Sequence, residues 1–209
     1  MPTLNSDSPR SRGRPVAGRN TQRSRLLQAG RELLAEGAEL TLGRAAMRAG
    51  VTPALANYYF LNRAGLVGAL LQERAAPRVD DLIGAARVRA DQPVAALTFL
   101  MQRLTSVVAT DPFVCRCLLL QEGRPLRERL RAVLRELLQR AQREGQLRAD
   151  LPLEYLGDTL LGLCLFPFLD SDAAGSNAGE RVAALTLQHV ALLQDGIVRA
   201  QRPRHESAS

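Results

Sequence analysis

Residues 41–67 read TLGRAAMRAGVTPALANYYFLNRAGLV, and the spacing of small and capping residues within them decides the fold. Thr41 is suited to open a helix, because its hydroxyl can accept one of the backbone N–H groups left unpaired in a first turn. Leu42, Ala45, Ala46 and Ala49 then share one face, and Gly50 can take the left-handed conformation that ends a helix. Thr52 is a second cap. Pro53 suits the first helical position, where a missing N–H leaves nothing unpaired. The spacing therefore predicts two short helices joined by Gly50, Val51 and Thr52. The second carries Asn57, Tyr58 and Tyr59 on a segment too short to build much core.

Outward from this stretch the chain reads as helices. Upstream, an amphipathic pattern starts at Thr21, places Leu26, Leu27, Gly30, Leu33 and Leu34 on one side, and stops at Gly37. Downstream, a helix is expected from Arg63 to about residue 90, with Pro77 as a kink or break. Further helices are expected over 93–109 and from Asp111-Pro112 to near Gly123. The pattern is clearest in PLRERLRAVLRELLQRAQREG, where Leu126, Leu130, Val133, Leu134, Leu137 and Leu138 line one face and Gly145 ends the run. Helices over 153–169 and 180–200, a loop at 170–179 and a loose tail complete an all-α chain without a convincing strand.

Charge is unevenly placed. The chain of 209 residues carries a formal net charge of +7. Residues 1–25 hold six arginines and one acid, and residues 26–75 hold five arginines and four glutamates, so +6 is reached by residue 75. Charge crowded into the first third points to a polyanionic partner there, although a solvated basic tail is the plainer reading of the arm. There is no lysine.

Other classes find little support. His189 and His205 are the only histidines, and no metal-ligand spacing, nucleophile elbow or phosphate-binding loop is present, so neither an enzyme nor a metal or cofactor site is expected. Cys115, Cys117 and Cys164 form no disulfide framework and read as core thiols in a reducing compartment. No signal peptide is visible, and the longest apolar run, LLGLCLFPFL at 160–169, is too short to cross a bilayer. A cytoplasmic protein without membrane contact is expected.

The capped pair of short helices has the grammar of a helix-turn-helix, in which the second helix enters the major groove and its first residues meet base edges. The first helix crosses the backbone and can offer N–H groups to a phosphate. With Gly37, Thr41, Ala46, Ala49, Gly50, Val51, Tyr58, Phe60, Arg63 and Leu66 at these spacings, residues 20–70 resemble the DNA-binding domain of the tetracycline-repressor (TetR) family. Two positions depart from that pattern: Arg63 stands where lysine is usual and Tyr59 where histidine is common. Arginine keeps the charge but changes donor geometry.

The resemblance implies an N-terminal three-helix DNA-binding domain over 20–68 and a larger helical ligand-binding and dimerisation domain over 69–201. A disordered basic arm over 1–19 and a flexible tail over 202–209 flank them. It implies that Pro53, Ala54, Leu55 and Asn57, with the capping Thr52, face the groove of double-stranded DNA. Asn57 would bond an adenine edge or a phosphate and Leu55 would touch a thymine methyl. Tyr58 and Tyr59 would reach sugar and phosphate oxygens. Thr41, Gly43 and Arg44 would meet the opposite backbone, and Arg63 would grip a phosphate. In the arm, SRGRP at 11–15 resembles the core of an AT-hook, with Arg12 and Arg14 laid along a narrow minor groove. A solubilising tail fits the same residues.

For the larger half the resemblance implies a homodimer through 153–169 and 180–200, two reading heads on a palindromic operator, and a pocket for a small apolar ligand. Candidate wall residues are Phe99, Leu100, Leu104, Phe113, Leu118, Leu119, Phe166 and Phe168, although the same residues at helical spacing also suit an ordinary core. The expected function is a ligand-responsive transcriptional repressor. A helical interaction module without specific DNA binding is the alternative, and it leaves the charge asymmetry unexplained.

Overall fold

The computed structural model describes residues 16–165, with side chains from residue 21 onward. Arg12, Arg14, Phe166, Phe168, both histidines, the 170–179 loop, the 180–200 helix and the tail lie outside the described residues. Among those described every regular element is helical. The first three helices are α1 (Val16–Ala35), α2 (Leu42–Ala49) and α3 (Pro53–Phe60). Next come α4 (Arg63–Leu70), α5 (Ala76–Arg87) and α6 (Pro93–Thr110). The last three are α7 (Pro112–Leu119), α8 (Arg124–Arg143) and α9 (Leu153–Leu165).

The helix ends follow local chemistry. Thr41 accepts from the Arg44 N–H, Asn62 from the Gly65 N–H, and Asp111 from the Val114 N–H. Gly50 closes α2 at φ 65° and Gly145 lies past α8 at φ 72°, both in the left-handed region that glycine enters without steric cost. α1 begins at Val16, earlier than the Thr21 expected and inside the segment assigned to the arm. Residues 18–25, GRNTQRSR, hold no apolar side chain, so no periodicity marks this first part of the helix.

The α-helix is interrupted just before Pro77, which stands in the first turn of α5, in keeping with the irregularity expected there. A π-helical turn, Leu71–Ala75, runs between α4 and α5, and the Ala76 N–H reaches back to the Leu71 carbonyl. The wider turn accommodates the proline's missing donor, and α4 itself spans residues 68–69.

The core is one contiguous cluster. In the first part, Leu26, Leu27, Ala45, Ala46, Ala56, Phe60, Leu66 and Leu70 bring α1 to α4 together. In the second, α6 packs against α5, α7, α8 and α9. Among the described residues α6 is the one helix long and apolar enough to cross a membrane, and its Leu100, Met101, Leu104 and Val108 are instead buried in this cluster. Ion pairs between Asp80 and Arg129, and between Arg131 and Asp158 at 2.6 Å, rim the packing of α5 and α9 on α8.

Cys115, Cys117 and Cys164 are free and buried, as their reading as core thiols requires. Burial pushes Cys115 and Cys164 up to about 11 and Cys117 up to about 12. Almost no thiolate forms at neutral pH, and the thiolate is the reactive species. The folded protein should therefore react with a thiol reagent only at the rate of unfolding, with all three sites released together in denaturant. A fast native phase would contradict this packing.

Candidate nucleic-acid interface

The exposed face of α2 and α3 is built by anchoring the opposite one. In α3, Ala56 and Phe60 stand one turn apart and are buried against α1 and α4, and the Arg23 guanidinium lies over the Phe60 ring at 5.6 Å. This fixes the rotation of the helix. Thr52, Pro53, Ala54, Asn57 and Tyr58 then point outward, while Leu55 and Tyr59 are half-buried. Tyr58 is 69% exposed, although it is large and largely apolar. Its ring meets Tyr59 edge-on with centroids 5.3 Å apart, and Tyr59 packs partly on the core. The pair therefore divides its work: Tyr59 supports the helix and Tyr58 projects. Thr52 closes the N-terminus by accepting from the Leu55 N–H at 3.3 Å.

α2 offers Gly43 and Arg44 at its exposed N-terminus. Arg44 stands 3.6 Å from the Glu39 carboxylate. Arg48 donates to Glu36 at 2.6 Å, and that hydrogen bond holds the Glu36 carboxyl below its usual range. Between Glu39 and Glu73 the sequence has no acidic residue, so α2, α3 and their turn contribute no carboxylate of their own, and the acids beside Arg44 and Arg48 come from the segment between α1 and α2. That interval is legible in the sequence and marks the face more sharply than net charge does.

Three residues join this surface that the sequence reading did not include. Met47 is 77% exposed and Arg48 lies beside it on α2. Leu61 is 83% exposed and takes φ 61°, ψ −50°, while the Asn62 N–H reaches the Phe60 carbonyl at 2.6 Å. This is a γ-turn of the strained hand, held by a leucine at the corner from α3 into α4. Leu61→Gly should relieve it and raise stability by about 1 kcal/mol in chemical denaturation. Unchanged or lower stability would show that the corner carries no such strain.

Arg63 is placed differently from the free phosphate grip expected of it. Its Nε donates to the Leu40 carbonyl at 3.1 Å, and a terminal nitrogen pairs with Glu122 in the turn before α8. Of the expected pocket wall, Leu100, Leu104, Phe113 and Leu118 are buried core residues. Phe99 lines an outer groove with Arg89, whose guanidinium stacks 4.0 Å over its ring, and Leu119 lines a cleft with Leu34, Leu40 and Arg63. No group of three or more metal-ligating side chains occurs among the described residues.

No family model and no curated protein matches the sequence. Solved structures do match the fold. The ketosteroid transcriptional regulator KstR2 of Mycobacterium tuberculosis is 18% identical with a TM-score of 0.65, covering 87% of this chain and 97% of its own. NalD of Pseudomonas aeruginosa, the secondary repressor of the MexAB-OprM multidrug efflux pump, is 21% identical with a TM-score of 0.64, covering 87% and 98%. A TetR-family transcriptional regulator of Pectobacterium atrosepticum is 17% identical with a TM-score of 0.62, covering 90% and 100%. The chain thus has the all-α fold of TetR-family regulators, with the helix-turn-helix at its N-terminal end. The resemblance read from residues 20–70 is borne out at the level of the fold.

Proposed function

We propose that the protein is a cytoplasmic, dimeric transcriptional regulator that represses by binding a palindromic operator and responds to a small apolar ligand. The observation that carries this reading is the face of α2 and α3. It combines outward Asn57 and Tyr58, a cleanly capped N-terminus on each helix, and arginine without acid between residues 39 and 73. Such a face can hold phosphate and present an amide and a phenol to a groove. The fold shared with proteins described as regulators supports the same reading.

In this reading Pro53, Ala54, Leu55 and Asn57 meet base edges, Tyr58 meets the sugar-phosphate chain, and Thr41, Gly43 and Arg44 meet the backbone across the groove. Tyr59 acts mainly by supporting Tyr58. Arg12 and Arg14 would follow an A·T-rich minor groove. The dimer would form through 153–169 and 180–200, to which the exposed Tyr155 of α9 is suited. The ligand would enter the larger half, where Phe99 and Leu119 of the expected wall line open clefts.

Genomic fragments retained by the purified protein should share an inverted repeat with half-sites about one helical turn, roughly 10 base pairs, apart. Retention of fragments without a common repeat would defeat the reading of a dimer on a palindrome.

A further inference from the structure

We propose that Glu122 is a positioning residue for DNA binding: it holds Arg63 in an ion pair that DNA phosphate must displace, so the larger helical half restrains the affinity of the reading head. This rests on the reading of α2 and α3 as a DNA-binding surface and deepens it.

Arg63 opens α4, directly after the capping Asn62. Its guanidinium joins three places. It belongs to α4, its Nε holds the Leu40 carbonyl just before the Thr41 cap of α2, and a terminal nitrogen is taken by Glu122. Glu122 lies 59 residues away in sequence, on the 3-10 turn Gln121–Gly123 between α7 and α8. The ion pair is thus a direct polar bridge from the helix-turn-helix to the regulatory half.

The turn that presents Glu122 is rigid. A Cβ on Gly123 would stand 2.0 Å from the Cys117 carbonyl oxygen, so the backbone there is pressed onto the end of α7. Arg127 reaches back from α8 and donates to the Leu118 carbonyl and, at 2.8 Å, to the Leu120 carbonyl. These bonds close the C-terminal carbonyls of α7 and lock the turn to α8. The Glu122 side chain is 23% exposed and that of Arg63 44%, so the carboxylate is the more enclosed partner. Glu122 stays with its turn, and the more exposed Arg63 can exchange its terminal-nitrogen contact while Nε keeps the Leu40 carbonyl.

A carboxylate on Arg63 weakens polyanion binding twice. It neutralises the charge of Arg63, and it occupies a donor that a phosphate would use. Loss of the Glu122 carboxylate contact would free a terminal nitrogen of Arg63 without moving α3.

The test uses the full chain and the DNA fragment recovered by retention, titrated over a salt series. E122Q keeps the shape and removes the charge. It should bind about threefold to fivefold tighter at low salt. Its logarithmic salt slope should steepen by about one, the mark of one added phosphate contact. E122D should return affinity toward wild type, and E122Q should change nothing in an R63A background. Unchanged affinity for E122Q, or the same gain with Arg63 absent, overturns the proposal while leaving DNA binding itself in place. Failure of the wild-type chain to bind any DNA removes both readings.

Discussion

Gly65→Ala is expected to lower stability by about 3 kcal/mol, near the upper end for forced overpacking. A Cβ at that position would lie 2.1 Å from the Phe60 carbonyl oxygen and 3.1 Å from its carbon. Both are backbone atoms and cannot rotate away. α3 ends at Phe60 and α4 begins at Arg63, so this contact sets how closely the two helices meet. Forcing it open would turn the outward face of α3 relative to α1 and α2. Affinity for DNA should therefore fall even at temperatures where the variant remains folded. Gly68→Ala, one turn along the same helix, is the control. Nothing lies within 4 Å of its added Cβ, so alanine should raise stability by about 0.5–1 kcal/mol through its better helix propensity. Equal effects in urea denaturation would show that the corner between α3 and α4 is not closely packed.

Asn57→Ala should change which sequences are preferred, not merely how tightly they are held. The side chain is exposed on the outward face of α3, one turn beyond the Pro53 start. An amide bonding an adenine edge contributes about 1–3 kcal/mol of discrimination at that base pair. Its loss should flatten the preference at one position of each half-site. Arg44→Ala, at the exposed start of α2, should instead weaken every sequence to a similar extent and shallow the salt slope by about one. Affinities measured against a panel of single-base operator variants separate the two. Indistinguishable profiles would mean that Asn57 positions the protein and does not read bases.

The parts of this architecture that are legible in the sequence are those set by short-range chemistry. Thr41, Gly50, Thr52 and Pro53 mark their helix ends because each acts on backbone within one turn of itself. Part of the outward set on α3 follows, since Ala56 and Phe60 are buried at helical spacing and Ala54, Asn57 and Tyr58 lie off that stripe. Features that depend on distant partners are not legible. Arg63 reads as a free cation until Glu122 is brought to it. Pro77 signals a kink or break but not its form, a π-helical turn directly ahead of it. Leu61 has no property that announces a left-handed backbone; the closeness of α3 and α4 imposes it. Leu100, Leu104, Phe113 and Leu118 read equally as pocket wall and as core, because both need the same apolar periodicity. Their burial comes from α6 and α7 lying inside the bundle.

The central claim is that the outward surface of α2 and α3 binds duplex DNA through phosphate contacts. The most direct measurement is a mobility-shift titration of the full chain on its recovered operator, from about 50 to 200 mM salt. Sub-micromolar affinity at the low end, with a logarithmic slope of several units, is the predicted result. A flat salt profile, or equal affinity after both Arg44 and Arg48 are replaced by alanine, would contradict it.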